Sequence, residues 1–227
     1  MNATCEIHTV VSMPFEENTY IVWLPGRTDA VVIDPGLEPD AILEFLDERG
    51  LSVAAILCTH GHADHIGGNE AVKARFPEAP LIIGVNETAL LTDANLNMSA
   101  PFGLPIVSPP ADQTVKEGEV LEVAGLTLEV REIPGHSPGH VVFVMRSPLT
   151  PGPSPPEGRG ETIVFGGDVL FRGSVGRCDF QGGNFSLLAQ GIVGKLYSLA
   201  DDTVVYPGHG PVTKIGFEKR TNPFVKG

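Results

Sequence analysis

Residues 59–65 read THGHADH, three histidines and an aspartate within seven positions. Imidazole and carboxylate together are the usual ligands of zinc, iron and manganese. The spacing differs from the helical H-E-x-x-H pattern, and Gly61 between the first two histidines suits a tight loop that turns both rings inward. Three further candidates stand beside glycines: His136 in IPGHSPGH (133–140), Asp168 in FGGD (165–168) and His209 in YPGHGP (206–211). Together with His60, His62, Asp64 and His65 they make seven candidate ligands. A three-ligand site would leave about half of them idle. Seven suit two cations sharing one carboxylate, and Asp168 is the natural bridge because a carboxylate can ligate two metals.

The remaining candidates take blander roles. His8 reads as a strand residue, and His140 as support for the loop carrying His136. Cys58 reads as a small buried apolar side chain at a strand end. Asp34, in IDPG, is a turn residue or a partner that orients a ligand. No GxSxG element supplies a serine nucleophile.

These residues need strand ends to stand on, and the chain offers them. Apolar or β-branched runs at 6–13, 19–24, 30–33, 53–57, 81–83, 120–123, 126–132, 140–145, 162–166 and 203–206 read as strands. Helices are expected at 38–49, stopped by Gly50, at 69–76 with Asn69 as cap, at 86–92, and at 185–199, where Leu187, Leu188, Ile192, Leu196 and Leu199 share a face. THGHADH follows the 53–57 strand, and strand-end loops are where α/β folds place chemistry. Residues 93–118, polar and without period, read as an excursion over the surface that could rim the site. Residues 147–160 hold five prolines and three glycines and read as an insertion lengthening a hairpin loop. The tail beyond 206 shows little periodicity.

The chain has 227 residues, 42% of them hydrophobic, and a net charge of −13. One α/β domain spanning residues 1–227 fits that length. The acidic balance argues against nucleic-acid or anionic-membrane partners, which require clustered Lys and Arg. Three scattered cysteines, no signal-peptide pattern and no apolar run long enough to span a bilayer point to a cytoplasmic protein.

The ordered set THGHADH, PGHSPGH, GGD and PGHG resembles the metallo-β-lactamase superfamily, and its short glyoxalase II (hydroxyacylglutathione hydrolase) branch most closely. The segment LFRGSVGRCDFQGGN (170–184) resembles a loop shared by that branch and by persulfide dioxygenases, and the tail PGHGPVTKIGFEKRTNPFV (207–225) resembles the short hydrolases more. It implies an α/β fold of αββα type, two mixed β-sheets flanked by helices, with two divalent metal ions, zinc first and iron or manganese as alternatives. It assigns His60, His62 and His136 to one metal and Asp64, His65 and His209 to the other. Asp168 bridges the two, and Asp64 and Asp168 are the catalytic carboxylates. The implied reaction is hydrolysis of a small-molecule thioester, S-D-lactoylglutathione, to D-lactate and glutathione. Secreted β-lactamases of the best-known type have a cysteine in the region of Asp168, which argues against antibiotic hydrolysis. Only 18 residues follow His209, so the helical domain that helps full-length glyoxalase II hold glutathione is not expected. An anionic substrate then needs a local basic patch, for which Arg172, Arg177, Lys214, Lys219 and Arg220 are the candidates. The alternative on the same scaffold is a persulfide dioxygenase with one iron on His60, His136 and Asp168. A nuclease and a non-catalytic metal module are weaker alternatives.

Overall fold

A computed structural model describes residues 5–146 and 162–227. The Pro/Gly-rich insertion at 147–160 lies outside the described residues. Fourteen strands are described. Glu6–Ser12 (β1), Glu17–Trp23 (β2), Asp29–Ile33 (β3), Ser52–Cys58 (β4), Leu81–Gly84 (β5) and Gln113–Val115 (β6) form a six-stranded sheet in that order. The second sheet contains Val120–Val123 (β7), Leu126–Glu132 (β8), Val141–Arg146 (β9), Thr162–Gly167 (β10), Val204–Pro207 (β13) and Thr213–Lys214 (β14), in the order β14-β13-β10-β9-β8-β7. Between β10 and β13, Leu170–Phe171 (β11) and Ser174–Val175 (β12) make a small hairpin. Both sheets are mixed: β3, β4, β5 and β6 run parallel, as do β10 and β13, and the other neighbours are antiparallel.

The helices are Pro39–Arg49 (α1), Ala63–Ile66 (α2), Asn69–Arg75 (α3), Thr88–Thr92 (α4), Phe185–Gly191 (α5) and Ile215–Thr221 (α6). Three apolar clusters hold the layers together. Ile42 and Leu46 of α1 and Val72 of α3 pack on Ile21, Val32, Ile56 and Leu81, the outer face of the first sheet. Tyr20, Val22, Ile33 and Leu57 meet Leu128, Phe143 and Phe165 between the sheets. Val142, Val144, Val164 and Val205 carry Leu188, Ile192, Leu196 and Ile215 on the far side. Central strands such as β2 and β9 bury both faces, which explains their unbroken apolar runs. This is the expected αββα sandwich. No helix among the described residues is long and apolar enough to cross a membrane.

The expected helix 185–199 changes character midway. α5 ends at Gly191 and a π-helical turn covers Ile192–Leu196, closed by the Tyr197 N–H on the Ile192 carbonyl at 2.8 Å. The wider turn keeps Leu188, Ile192 and Leu196 all buried, while Leu187 is 45% exposed and off the core face. Asn69 is the first residue of α3 rather than its cap; its side chain is buried and donates to Ser108 Oγ at 2.9 Å. The 93–118 excursion ends in β6, and the aperiodic tail contains β14 and α6.

Candidate metal centre

All the candidate ligands leave the sheets at one edge. THGHADH follows β4, Asp34 follows its parallel neighbour β3, Asp168 follows β10, and His209 follows β13, parallel to β10. β9 runs antiparallel to β10, so the loop entering it, with His136 and His140, lies at the same end.

The first group is His60, His62 and His136. His62 Nδ1 lies 3.1 Å from His60 Nε2 and 2.9 Å from His136 Nε2. Metal–nitrogen bonds of about 2.0–2.1 Å place two ligands of one cation about 2.9–3.3 Å apart, so these nitrogens fit around a single ion. Burial depresses all three rings: His60 well below the ordinary range, His62 to about 3 with help from His136, and His136 against the pull of Asp168. The rings are therefore neutral and offer lone pairs. Other contacts orient them. His136 Nδ1 donates to the Arg177 carbonyl at 2.8 Å, and the Phe180 ring packs edge-on to His62 and His136.

The second group is Asp64, His65 and His209. His209 Nε2 stands 3.4 Å from both Asp64 Oδ2 and His65 Nε2. Burial alone would lower His65 and raise Asp64; Asp168 and Asp64 instead hold His65 well above its usual range, and His65 and His209 hold Asp64 below. His209 is raised likewise, against its burial, by the hydrogen bond to Asp64. His209 Nδ1 donates to the Phe15 carbonyl at 3.0 Å, and Phe171 meets its ring edge-on.

Asp168 lies between the groups. Oδ2 is 3.4 Å from His136 Nε2 and 3.5 Å from His209 Nε2, and Oδ1 is 3.4 Å from His65 Nε2. Burial would raise its carboxyl, but His65 and His136 hold it far below the carboxylate range. Oδ1 is buried without a hydrogen-bond partner. An ionised oxygen without a hydrogen bond, amid imidazole nitrogens, is what a cation would satisfy. Gly208 leaves room for it, since a Cβ there would fall 2.3 Å from that same oxygen.

Residues that looked ordinary in the sequence hold this arrangement. Asp34 accepts from the Thr59 N–H and hydroxyl, both at 2.7 Å, and from His65 Nδ1 at 3.1 Å, so it is the orienting partner, not merely a turn residue. His140 accepts the Asp168 N–H at 3.0 Å and so supports Asp168 rather than the His136 loop alone. Glu17 is buried behind His65, with Oε1 4.0 Å from its Nδ1. Asn18 Nδ2 donates to the carbonyls of Pro207 and Gly210, and Tyr20 Oη to that of Pro207, fixing the His209 loop to the first sheet. Glu87 accepts from the N–H groups of Gly61 and Gly139. Asp34 and His140 stood out in the sequence; Glu17, Asn18, Tyr20 and Glu87 carry no local signal, and only the folded contacts reveal them.

The expected basic patch divides. Arg177 lies beside the first group, its guanidinium 4.4 Å over Phe180 and paired with Asp179 at 2.8 Å. Arg172, in the β11–β12 turn next to Phe171, lies over Phe217. Lys219 and Arg220 pair with Asp201, which precedes β13, and Lys214 is registered opposite Val204 at the start of that strand. His209 follows the other end of β13, so these three cations are not brought to the cluster. The surface excursion does reach it: the Asn97 carbonyl accepts the Ala63 N–H at 3.0 Å, and Phe102 meets Phe15. The second group holds the more exposed ligands, with the His209 and Asp64 side chains 26% and 19% exposed against 3% for His136 of the first.

The family signature of the metallo-β-lactamase superfamily matches residues 13–148. Hydroxyacylglutathione hydrolase GloC of Haemophilus influenzae is 35% identical over 214 residues, 93% of each chain. The crystal structure of BLEG-1 B3 metallo-β-lactamase superposes with a TM-score of 0.88 at 35% identity, over 98% of this chain and all of that one. TTHA1623 in a di-iron-bound form gives 0.77 at 36% identity, over 96% of this chain and all of that one, and ETHE1 from Myxococcus xanthus 0.75 at 30%, over 96% and 83%. The sandwich, its histidine-rich edge and these likenesses lead to one assignment: the chain belongs to the metallo-β-lactamase superfamily, as a metal-binding hydrolase.

Proposed function

We propose that the protein hydrolyses thioesters of the S-D-lactoylglutathione type at a two-metal centre. The observation that carries this reading is the reach of the Asp168 carboxylate to both ligand groups, within 3.5 Å of a ring nitrogen in each. Two divalent cations there supply Lewis acidity and a water whose pKa falls toward neutrality. His60, His62 and His136 would hold one ion with neutral nitrogens, Asp64, His65 and His209 the other, and Asp168 both. The thiol of the product has a pKa of about 8.5, so it leaves without a dedicated general acid. Burial pushes the Cys58 thiol up, and Cys178 likewise, which disfavours their thiolates. Arg177 and Arg172 remain as contacts for the glutathione carboxylates.

Full-length likeness to the GloC hydrolase supports the substrate class. A second reading, one iron on His60, His136 and Asp168 acting on a persulfide with oxygen, draws support from the burial of the first group relative to the second.

The test is metal content on freshly purified protein together with S-D-lactoylglutathione hydrolysis on the same sample. About two metals per chain with thioester turnover is the expected result. One iron, no thioester turnover and oxygen uptake with glutathione persulfide would establish the second reading instead. A chromogenic β-lactam is assayed alongside, given the BLEG-1 likeness, and its preferential turnover would overturn both. Asp168→Ala should lose bound metal and turnover together; full activity in that variant refutes the shared-carboxylate centre.

A further inference from the structure

Glu87 ends the single 3-10 turn Val85–Glu87 after β5 and is fully buried. Its two oxygens go to two different loops. Oε2 accepts the Gly61 N–H at 2.9 Å, and Oε1 accepts the Gly139 N–H at 2.5 Å. Gly61 stands between His60 and His62, on a loop leaving the first sheet. Gly139 belongs to the turn that starts at His136 and enters the second sheet. Both loops rest directly on the segment around Glu87: a Cβ on Gly61 would be 2.4 Å from Leu90 Cβ, and one on Gly139 2.4 Å from Asn86 Cβ.

The geometry of the three-histidine group has two parts. The spacing of His60 from His62 is internal to one loop. The placement of His136 against them depends on how the two loops sit together. Nearby, the Val141 N–H on the Thr59 carbonyl joins the strand ends at 2.8 Å, but the loop tips carrying the rings lie beyond that bond. We infer that Glu87 is a positioning residue for this group: its carboxylate clamps the 60–62 loop to the 136–140 loop and so sets the separation at which His136 faces His62. The inference rests on the metal-centre reading above and is independent of the substrate.

A carboxylate is required because two N–H donors need two acceptor oxygens. Glu87→Gln keeps the shape but offers one acceptor, and its NH₂ faces the other N–H. Partners that orient metal ligands typically account for about 10–100-fold in affinity. The experiment is zinc titration against a competing chelator in two backgrounds, each retaining one ligand group. In His209→Ala, which retains the three-histidine group, Glu87→Gln should weaken zinc binding about 10–100-fold. In His136→Ala, which retains Asp64, His65 and His209, the same change should leave affinity within about threefold. Equal losses in both backgrounds would mean a general loss of structure and overturn the clamp, as would no loss in the first. Glu87→Asp keeps both acceptors on an arm one methylene shorter and serves if the glutamine variant fails to fold. It should show the same selective loss, and unchanged zinc affinity in it overturns the clamp equally. Wild-type protein that takes up no zinc, iron or manganese would refute the metal-centre reading itself, a result visible before any variant is made.

Discussion

At the scale of single residues, chemistry here comes from pairing rather than from unusual side chains. Arg177 stands beside the first group, held against Phe180, which packs on His62 and His136. Arg177→Ala should raise KM for S-D-lactoylglutathione several-fold with little change in kcat, whereas Lys219→Ala, whose side chain pairs with Asp201 at the end of β13 far from His209, should change neither. Steady-state kinetics on the two variants decide it, and a KM unchanged in Arg177→Ala removes the contact. Glu17 gives a pH-dependent outcome. Burial holds its carboxyl well above the usual range, outweighing the pull of His65. A carboxyl raised in the native state contributes fully below its unfolded pKa of about 4.3, and that contribution is lost as pH rises through the native value. Glu17→Gln should therefore gain thermal stability over wild type increasingly as pH rises above about 4.3, in melts of the metal-free proteins. A constant difference across pH would show that Glu17 does not titrate in that range. The seven ligand candidates were legible in the sequence because their signal is local, a dense THGHADH run or a histidine or aspartate beside glycine. Glu17 and Glu87 were not. Within EENTY and VNETA each reads as an ordinary charge, and only burial against loops distant in the chain gives it a role.

At the scale of elements, the loop carrying His209 is anchored to the sheet it does not belong to. Asn18 and Tyr20, on β2, grip the loop after β13 through the carbonyls of Pro207 and Gly210. Asn18→Ala removes two of these bonds across the sheets. It should cost about 1–3 kcal/mol in urea unfolding, as buried carbonyls lose donors, and weaken the metal held by His209 more than the one held by His136. Unchanged affinity at both positions would leave Tyr20 and the backbone as the only anchors. Strand content was readable from apolar runs because the central strands bury both faces. Shorter elements were not: β6, β14 and α6 have three, two and seven residues, too few to show a period. The π turn at 192–196 escaped for another reason. Its hydrophobic spacing, Leu188, Ile192 and Leu196, is also that of an α-helix, and only packing separates the two.

For the whole molecule, the net charge of −13 and the carboxylates collected at one edge make a bound cation part of the stability. At free zinc about 100 times its Kd, binding adds about 2.7 kcal/mol to the folded state. In a chain of this size that corresponds to a Tm higher by roughly 5–11 °C. Chelation should lower the melting temperature by about that much and zinc should restore it; calorimetry showing no shift would mean the edge holds its shape without an ion. The αββα architecture was foreseen from the motif set rather than from the order of predicted elements, because which strands neighbour one another is decided by contacts the linear pattern does not carry.

The two sheets divide the chain almost cleanly, residues 6–115 building one and 120–214 the other. His60, His62, Asp64 and His65 are all present once the first sheet has been made; His136, Asp168 and His209 arrive only with the second. During synthesis at about 5–20 residues per second, the first four therefore wait on the order of 5–20 s for their counterparts. A metal pair can be gripped by both groups only after the two halves have met, so uptake of the second ion should trail that of the first. A nascent protein stalled between residues 140 and 209 should hold the three-histidine group but lack the set that His209 completes.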